Sequence, residues 1–243
     1  KGLTDITPLQ EVLAGLEQNP EVIAGHEKRQ YYLTMEKELQ RKYAPELETR
    51  SIGWWEKEAG RMHDLTRVSP DGKASVVAQL GGGPNGAAIG PDGAVYVCNN
   101  GGFRWATEAD GCVRPVAQAD DYDTGRIERV DLATGRSERL YEQVDGHGLR
   151  GPNDLVFDAE GGFWFTDLGK VRERDMDRGA LYYARADGRS IVAAARPVMT
   201  PNGIALSPNG ATLYYAETEG ARVWAFDVTA PGRLRKDAWP SPH

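Results

Sequence analysis

The chain has little of what many protein classes depend on. It carries two cysteines, Cys98 and Cys112, among 243 residues. That is too few for a disulfide-stapled scaffold, and the expectation is two free thiols in a reducing, cytoplasmic setting. The four histidines, His26, His63, His147 and His243, show no H-E-x-x-H spacing, and no G-x-S-x-G elbow occurs. No apolar run approaches the roughly 18 residues of a membrane span, and Lys1-Gly2-Leu3-Thr4-Asp5 lacks the apolar stretch of a secretory signal. The chain opens on Lys1 rather than Met, so its natural start is expected upstream. Positive charge is also short. Lys plus Arg is 29 against 36 for Asp plus Glu, a net charge of −7 with a pI near 5.2. This balance argues against nucleic acid or an anionic membrane as partner and favours a small or neutral ligand.

What is present changes character near residue 62. Upstream, Thr7-Pro8-Leu9-Gln10 combines an N-cap threonine, a proline at the first helical position and a glutamine at the third. Leu9, Val12, Leu13 and Leu16 follow at helical spacing until Pro20, and Tyr32, Met35, Leu39 and Tyr43 make a second stripe before Pro45. A helical segment over residues 1–61 is expected. Downstream, over 62–243, glycines recur between short alternating runs rich in Val, Ile, Tyr, Phe and Trp, the pattern of closely spaced strands.

Those strands repeat. GPNDLVFDAEGGFWFTD (151–167), PNGAAIGPDGAVYVCNN (84–100) and PNGIALSPNGATLYYAET (201–218) all read Pro-Asn, apolar strand, glycine turn, aromatic strand, polar end. A second hairpin-like unit follows each, at 125–142, 178–195 and 221–236, and a fourth copy, DLTRVSPDGKASVVAQL from Asp64, has no Pro-Asn hairpin before it. Two hairpins make a four-stranded blade, and the 49 residues from Asn153 to Asn202 are blade-sized; the longer step from Asn85 to Asn153 is explained by an insertion over 101–124. The reading is a mainly β fold, a β-propeller.

In such a hairpin both polar ends return to one face. Asn85 is then expected near Asn99 and Asn100, Asn153 near Asp167, and Asn202 near Glu217. If the Pro-Asn strands are innermost, these ends ring the mouth of the channel, where amide and carboxylate oxygens suit a hard cation. Each Pro-Asn taken alone is equally a turn starter. DGHGLRGPND places His147 and Arg150 just before Asn153, where they are candidates to hold a substrate's hydroxyl or carbonyl, and Phe103 and Trp105 are candidates for an apolar lip. GGGPNG from Gly81 matches G-x-G-x-x-G only formally, since strands rather than a helix follow it.

These motifs resemble the SMP-30/gluconolactonase/luciferin-regenerating-enzyme group of six-bladed propellers, over about Asp64 to Arg235. The resemblance implies a divalent-metal-dependent hydrolase of a sugar lactone. It assigns Asn153 and Asn202 as metal ligands to one divalent cation, Ca²⁺ first, with Mg²⁺, Mn²⁺ or Zn²⁺ as alternatives. The group's first-blade E-G-P glutamate has no counterpart here, and its late-blade aspartate would lie beyond His243. Asp154 and Asp167 are then the candidates for the proton-accepting carboxylate, with Arg150, His147, Asn99 and Asn100 as candidate substrate contacts. With about four of six blades accounted for, two readings stay open: a lactonase, or a propeller of the same family that binds without turnover and self-associates through an open blade edge.

Overall fold

The three Pro-Asn segments each begin a strand, and everything else in the fold is laid against them. The structure is a computed structural model and describes residues 63–107 and 113–235. The expected N-terminal helices and Cys112 lie outside these residues. Among the described residues every regular element is a strand, and none is a helix long and apolar enough to cross a membrane.

β1 (Asp64–Val68) and β2 (Ala74–Gln79) pair as a two-stranded sheet. β3 (Pro84–Ile89) and β4 (Val95–Asn99) open the next sheet. A separate hairpin, β5 (Phe103–Thr107) with β6 (Val113–Gln118), then interrupts it before β7 (Arg126–Val130) and β8 (Ser137–Tyr141) complete the order β3-β4-β7-β8. A short ladder of β9 (Gln143–Val144) and β10 (His147–Gly148) precedes the third sheet. That sheet is formed by β11 (Pro152–Phe157), β12 (Gly162–Asp167), β13 (Gly179–Arg185) and β14 (Ile191–Val198) in sequential order. The fourth repeats the plan with β15 (Pro201–Leu206), β16 (Thr212–Glu217), β17 (Arg222–Ala230) and β18 (Arg233–Leu234). All pairings are antiparallel. These are three four-stranded propeller blades and a two-strand part of another, which matches the copy at Asp64 that lacks a Pro-Asn hairpin.

Side-chain alternation explains how the blades stack. On β12, Phe163 and Phe165 join a core shared with Tyr96 and Tyr141 of the preceding blade, while Trp164 between them points to the other face and packs with Ile204, Leu213 and Tyr215 of the next. β4 does the same one blade earlier: Tyr96 and Cys98 go one way, Val95 and Val97 the other, toward Leu65 and Ala78. A strand covered on both faces favours a continuous apolar run, so Phe163, Trp164 and Phe165 follow without alternation, and β12 is buried along its whole length. Edge-on and tilted ring contacts tie neighbouring blades, with Tyr96 and Phe157 centroids at 5.0 Å and Tyr96 and Phe163 at 5.6 Å.

The inner hairpins share one turn geometry: Gly93, Gly161 and Gly210 take positive φ and each donates its N–H to the carbonyl three residues back. Asp158 Oδ1 accepts from the N–H groups of Glu160 and Gly162, both at 2.9 Å, and Gly161 takes φ +74°, a conformation that a β-carbon disfavours. They also share one irregularity. Pro84 faces Asn99 and Ala87 faces Val97, so three steps on the inner strand span two on its partner. The same shift falls between Pro152 and Leu155 and between Pro201 and Ile204. A β-bulge therefore sits at each Pro-Asn that starts an inner strand, and bulges re-aim the side chains they carry.

Candidate functional site

The three bulges deliver their asparagines to one place. Asn85, Asn153 and Asn202 line a single cavity of about 390 Å³, joined by Asn100 from the end of β4. The bulge at Pro201 carries Asn202, whose Nδ2 donates to Thr218 Oγ1 at 3.0 Å. That bond anchors the amide at one of its two polar atoms, and the other makes no hydrogen bond among the described residues. The Asn153 side chain has no hydrogen-bond partner among the described residues, and it too faces the cavity.

Asp154 follows Asn153 in the middle bulge and turns into the gap between inner strands. Its Oδ1 accepts from the Leu155 N–H at 2.9 Å and its Oδ2 from the Ile204 N–H at 3.1 Å, so the carboxylate bridges β11 to β15. The corresponding residues of the flanking bulges are Gly86 and Gly203, and the absence of a side chain at Gly86 is what lets the carboxylate fit. A β-carbon on Gly86 would stand 2.6 Å from both Asp154 Oδ1 and the Asn153 carbonyl oxygen. Thr166 completes the junction: its hydroxyl accepts from the Asp154 N–H at 3.1 Å and donates to the Asn202 carbonyl at 2.6 Å. Burial raises the Asp154 carboxyl above the usual carboxylate range, partly offset by the two backbone donors.

Asp167 and Asn99 reach the expected hairpin ends but are turned to the backbone. Asp167 is buried and accepts from the N–H groups of Arg150 (2.7 Å), Gly151 (2.7 Å) and Gly169 (3.0 Å). Burial raises its carboxyl despite these donors. Asn99 is fully buried: Oδ1 accepts from Gly83 N–H (2.8 Å) and Gly101 N–H (3.0 Å), and Nδ2 donates to Gly81 O (2.9 Å) and Glu128 Oε2 (2.8 Å). Glu128 in turn pairs with buried Arg126 at 2.9 Å, whose guanidinium also donates to the Leu80 carbonyl at 3.0 Å. Neither Asp167 nor Asn99 lines the cavity; they hold the loops that do.

Of the other candidate contacts, Asn100 lines the cavity while its Oδ1 accepts from Gly102 N–H at 2.8 Å. His147 and Arg150 are exposed and outside the lining. The backbone of Arg150 is what faces inward: its N–H goes to Asp167 and its carbonyl accepts from the Tyr122 hydroxyl at 2.8 Å. Phe103 and Trp105 do form a wall, their centroids 5.9 Å apart and their planes near perpendicular.

Sequence reading missed Lys170. Its side chain is buried, Nζ donates to the Gly102 carbonyl at 2.9 Å, and the ammonium lies 4.2 Å from the Phe103 ring centre and 4.9 Å from that of Tyr122. Burial pushes its pKa down to about 8. A lone lysine in a loop carries no spacing that would have singled it out.

The donors gathered at the cavity are amide oxygens with one carboxylate just behind them. Among the described residues no three His, Cys, Asp or Glu side chains come together. Such a set suits a hard divalent cation rather than a soft one, and needs further oxygen ligands to complete a coordination sphere.

Comparison with known proteins gives this geometry its context. The SMP-30/Gluconolactonase/LRE-like region matches residues 54–238. A gluconolactonase of Zymomonas mobilis is 26% identical over 159 residues, covering 62% of this chain and 38% of that protein. Diisopropyl-fluorophosphatase of Loligo vulgaris is 27% identical over 146 residues, covering 51% and 46%. The solved structure of a gluconolactonase from Xanthomonas campestris superposes with a TM-score of 0.55 at 25% identity, over 72% of this chain and 54% of its own. The chain thus spans between 38% and 54% of the length of these relatives. Its blades, its repeated Pro-Asn bulges and the match over most of its length make it a member of the SMP-30/gluconolactonase/LRE-like family.

Proposed function

We propose that the chain contributes the oxygen-lined floor of a divalent-cation-dependent hydrolase of small lactones, with the aldono-lactones named for its relatives as one member of the class. The observation that carries this reading is the convergence of three bulged asparagines on one cavity, with Asn202 anchored there through Thr218. Asn153 and Asn202 would hold the cation, Ca²⁺ before Mg²⁺, Mn²⁺ or Zn²⁺, because their donors are hard neutral oxygens. A cation bound there supplies polarisation of the ring carbonyl and a lowered pKa for water.

The chain's own residues do the rest. Thr218 anchors the Asn202 amide, and Thr166 ties together the two inner strands that carry the ligands. Asp154 is the carboxylate nearest these asparagines in sequence; held at both oxygens by backbone N–H groups, it is the proposed proton acceptor. Asp167 has the positioning role its three backbone bonds imply, fixing the loop that leads into Asn153. Arg150 and His147 would meet only a ligand that reaches the rim.

Among the described residues the cavity is lined by no charged residue, with Asp154 behind it, and this favours a second reading, a propeller that binds a lactone without turning it over. Two measurements on the purified chain separate them. Calorimetric titration with Ca²⁺, Mg²⁺, Mn²⁺ and Zn²⁺ is expected to show one site, weakened in Asn202→Ala; equal affinity in both proteins removes Asn202 from the site. Acid release from a lactone panel then decides between hydrolase and binder.

A further inference from the structure

The cavity has two unlike sides. One is the row of amides. The other is the hairpin β5–β6 and the loop after β12, which present Phe103, Trp105, Val116, Leu168 and Val171. Val116 and Val171 remain 48% and 51% exposed, so the apolar side continues to the rim. The blade does not need this hairpin. β4 pairs directly with β7 from Val95↔Val130 to Asn99↔Arg126, and β5 and β6 pair only with each other. The segment between them adds a wall to the cavity and nothing to the sheet.

The wall is anchored rather than loose. Lys170 donates to the carbonyl of Gly102 at the base of the hairpin and stacks against Phe103, on its first strand, and Tyr122, beyond its second. Gly101 takes φ +79° and packs where a β-carbon would meet the Tyr122 ring at 2.6 Å, so the chain turns tightly into β5.

This wall decides what fits. A fully hydroxylated lactone set on the amides would turn hydroxyls toward phenyl, indole and methyl groups, where they would lose water without gaining a partner. An aliphatic arm there would lose unfavourable contact with water instead. A cavity of about 390 Å³ is of ligand size, larger than a bare six-membered ring requires. Resting on the lactone reading above, we infer that this cavity takes a lactone or ester with its carbonyl on the asparagine side and an apolar arm of several carbons against the inserted hairpin.

The test uses lactams, which keep the ring and carbonyl but resist hydrolysis. The intact chain, with Ca²⁺ present, is titrated calorimetrically with δ-valerolactam, its 6-propyl and 6-pentyl homologues, and glucono-δ-lactam. Affinity is expected to rise by roughly fourfold per methylene over the first carbons of the arm, the usual gain for burying a CH₂. Glucono-δ-lactam should bind more weakly than the propyl compound. Val116→Asp, at an exposed position that should tolerate the change, and Trp105→Ala should each flatten the series. A flat series in the unmodified chain, tighter binding of the polyol, no binding of any lactam, or an undiminished slope in both variants overturns the inference. The two readings fail separately. A rising lactam series without acid release from the matching alkyl lactones removes catalysis but leaves the apolar arm. Acid release with a flat series does the reverse.

Discussion

Replacing Lys170 by methionine should make the protein more stable at neutral pH, even though it deletes a hydrogen bond. The side chain is 1% exposed, and its pKa is pushed from 10.5 to about 8 by burial. A folded-state value below the unfolded one means that between about pH 8 and 10.5 the unfolded chain holds a proton that the native chain has lost. Stability therefore rises with pH through that window and is lowest below pH 8. The shift of about 2.5 units corresponds to about 3 kcal/mol at most. Two ring faces at 4.2 and 4.9 Å favour the ammonium and offset part of this, by about 0.5–1 kcal/mol each. Methionine keeps an unbranched apolar stem over the same rings and removes the desolvated charge. The lost bond to the Gly102 carbonyl costs the variant about 1 kcal/mol at every pH, so the net expectation is a gain of up to about 1 kcal/mol at pH 7 that is gone by pH 10. Urea unfolding of both proteins at pH 7, 8, 9 and 10 measures it, using the difference between them. Tyr182, Tyr183 and Tyr215, pushed up to about 12, and Cys98 titrate alike in both and cancel. A difference that does not change with pH, or a variant less stable at pH 7, would refute the reasoning.

Three further outcomes are expected. Gly86→Ala puts a methyl 2.6 Å from the Asn153 carbonyl and Asp154, and should cost about 1–3 kcal/mol, read as a fall of roughly 2–12 °C in Tm; an unchanged Tm would mean the inner strands can spread. Arg126→Met leaves Glu128 charged and buried, at a cost of about 3–5 kcal/mol by urea unfolding, and adding Glu128→Leu should recover much of it; no recovery would place the cost in packing alone. Cys98 is fully buried and its thiol is pushed well above 9, so it should resist iodoacetamide in native buffer and react after denaturation.

The sequence disclosed the blades because their physics is local and repeated. Asp158, Gly161 and Gly162 specify a tight turn from their own side chains and φ preferences, and the aromatic run after them has to be buried on both faces. Asn153 and Asn202 could be placed at one mouth by counting alone, since hairpin ends return together. Counting could not tell which hairpin-end groups face the cavity and which face the loops. Asn99 and Asn100 are adjacent in sequence and alternate in direction, so one is consumed by Gly81, Gly83, Gly101 and Glu128 while its neighbour reaches the wall. The sequence offers Arg150 as a side-chain donor, whereas its backbone is what Asp167 and Tyr122 engage. Lys170 was invisible because its partners lie about 50 to 70 residues away in the chain.

A propeller built from near-identical hairpins would, by repetition alone, make a symmetric ring, and a symmetric ring of amides cannot distinguish a carbonyl from the solvent that replaces it. The asymmetry here comes from one position. After the shared asparagine the bulges continue with Gly86, Asp154 and Gly203, and Gly86 leaves the space that the carboxylate occupies. Backbone donors from β11 and β15 then hold it in one orientation, so the charge needs no partner side chain to be fixed. The inserted hairpin breaks symmetry again, on the outer side, without disturbing the pairing of β4 with β7. Fold and site thus diverge at few places: the bulge is common to all three blades, while the residue after it and the loop beyond it give this chain one charged position and one apolar wall.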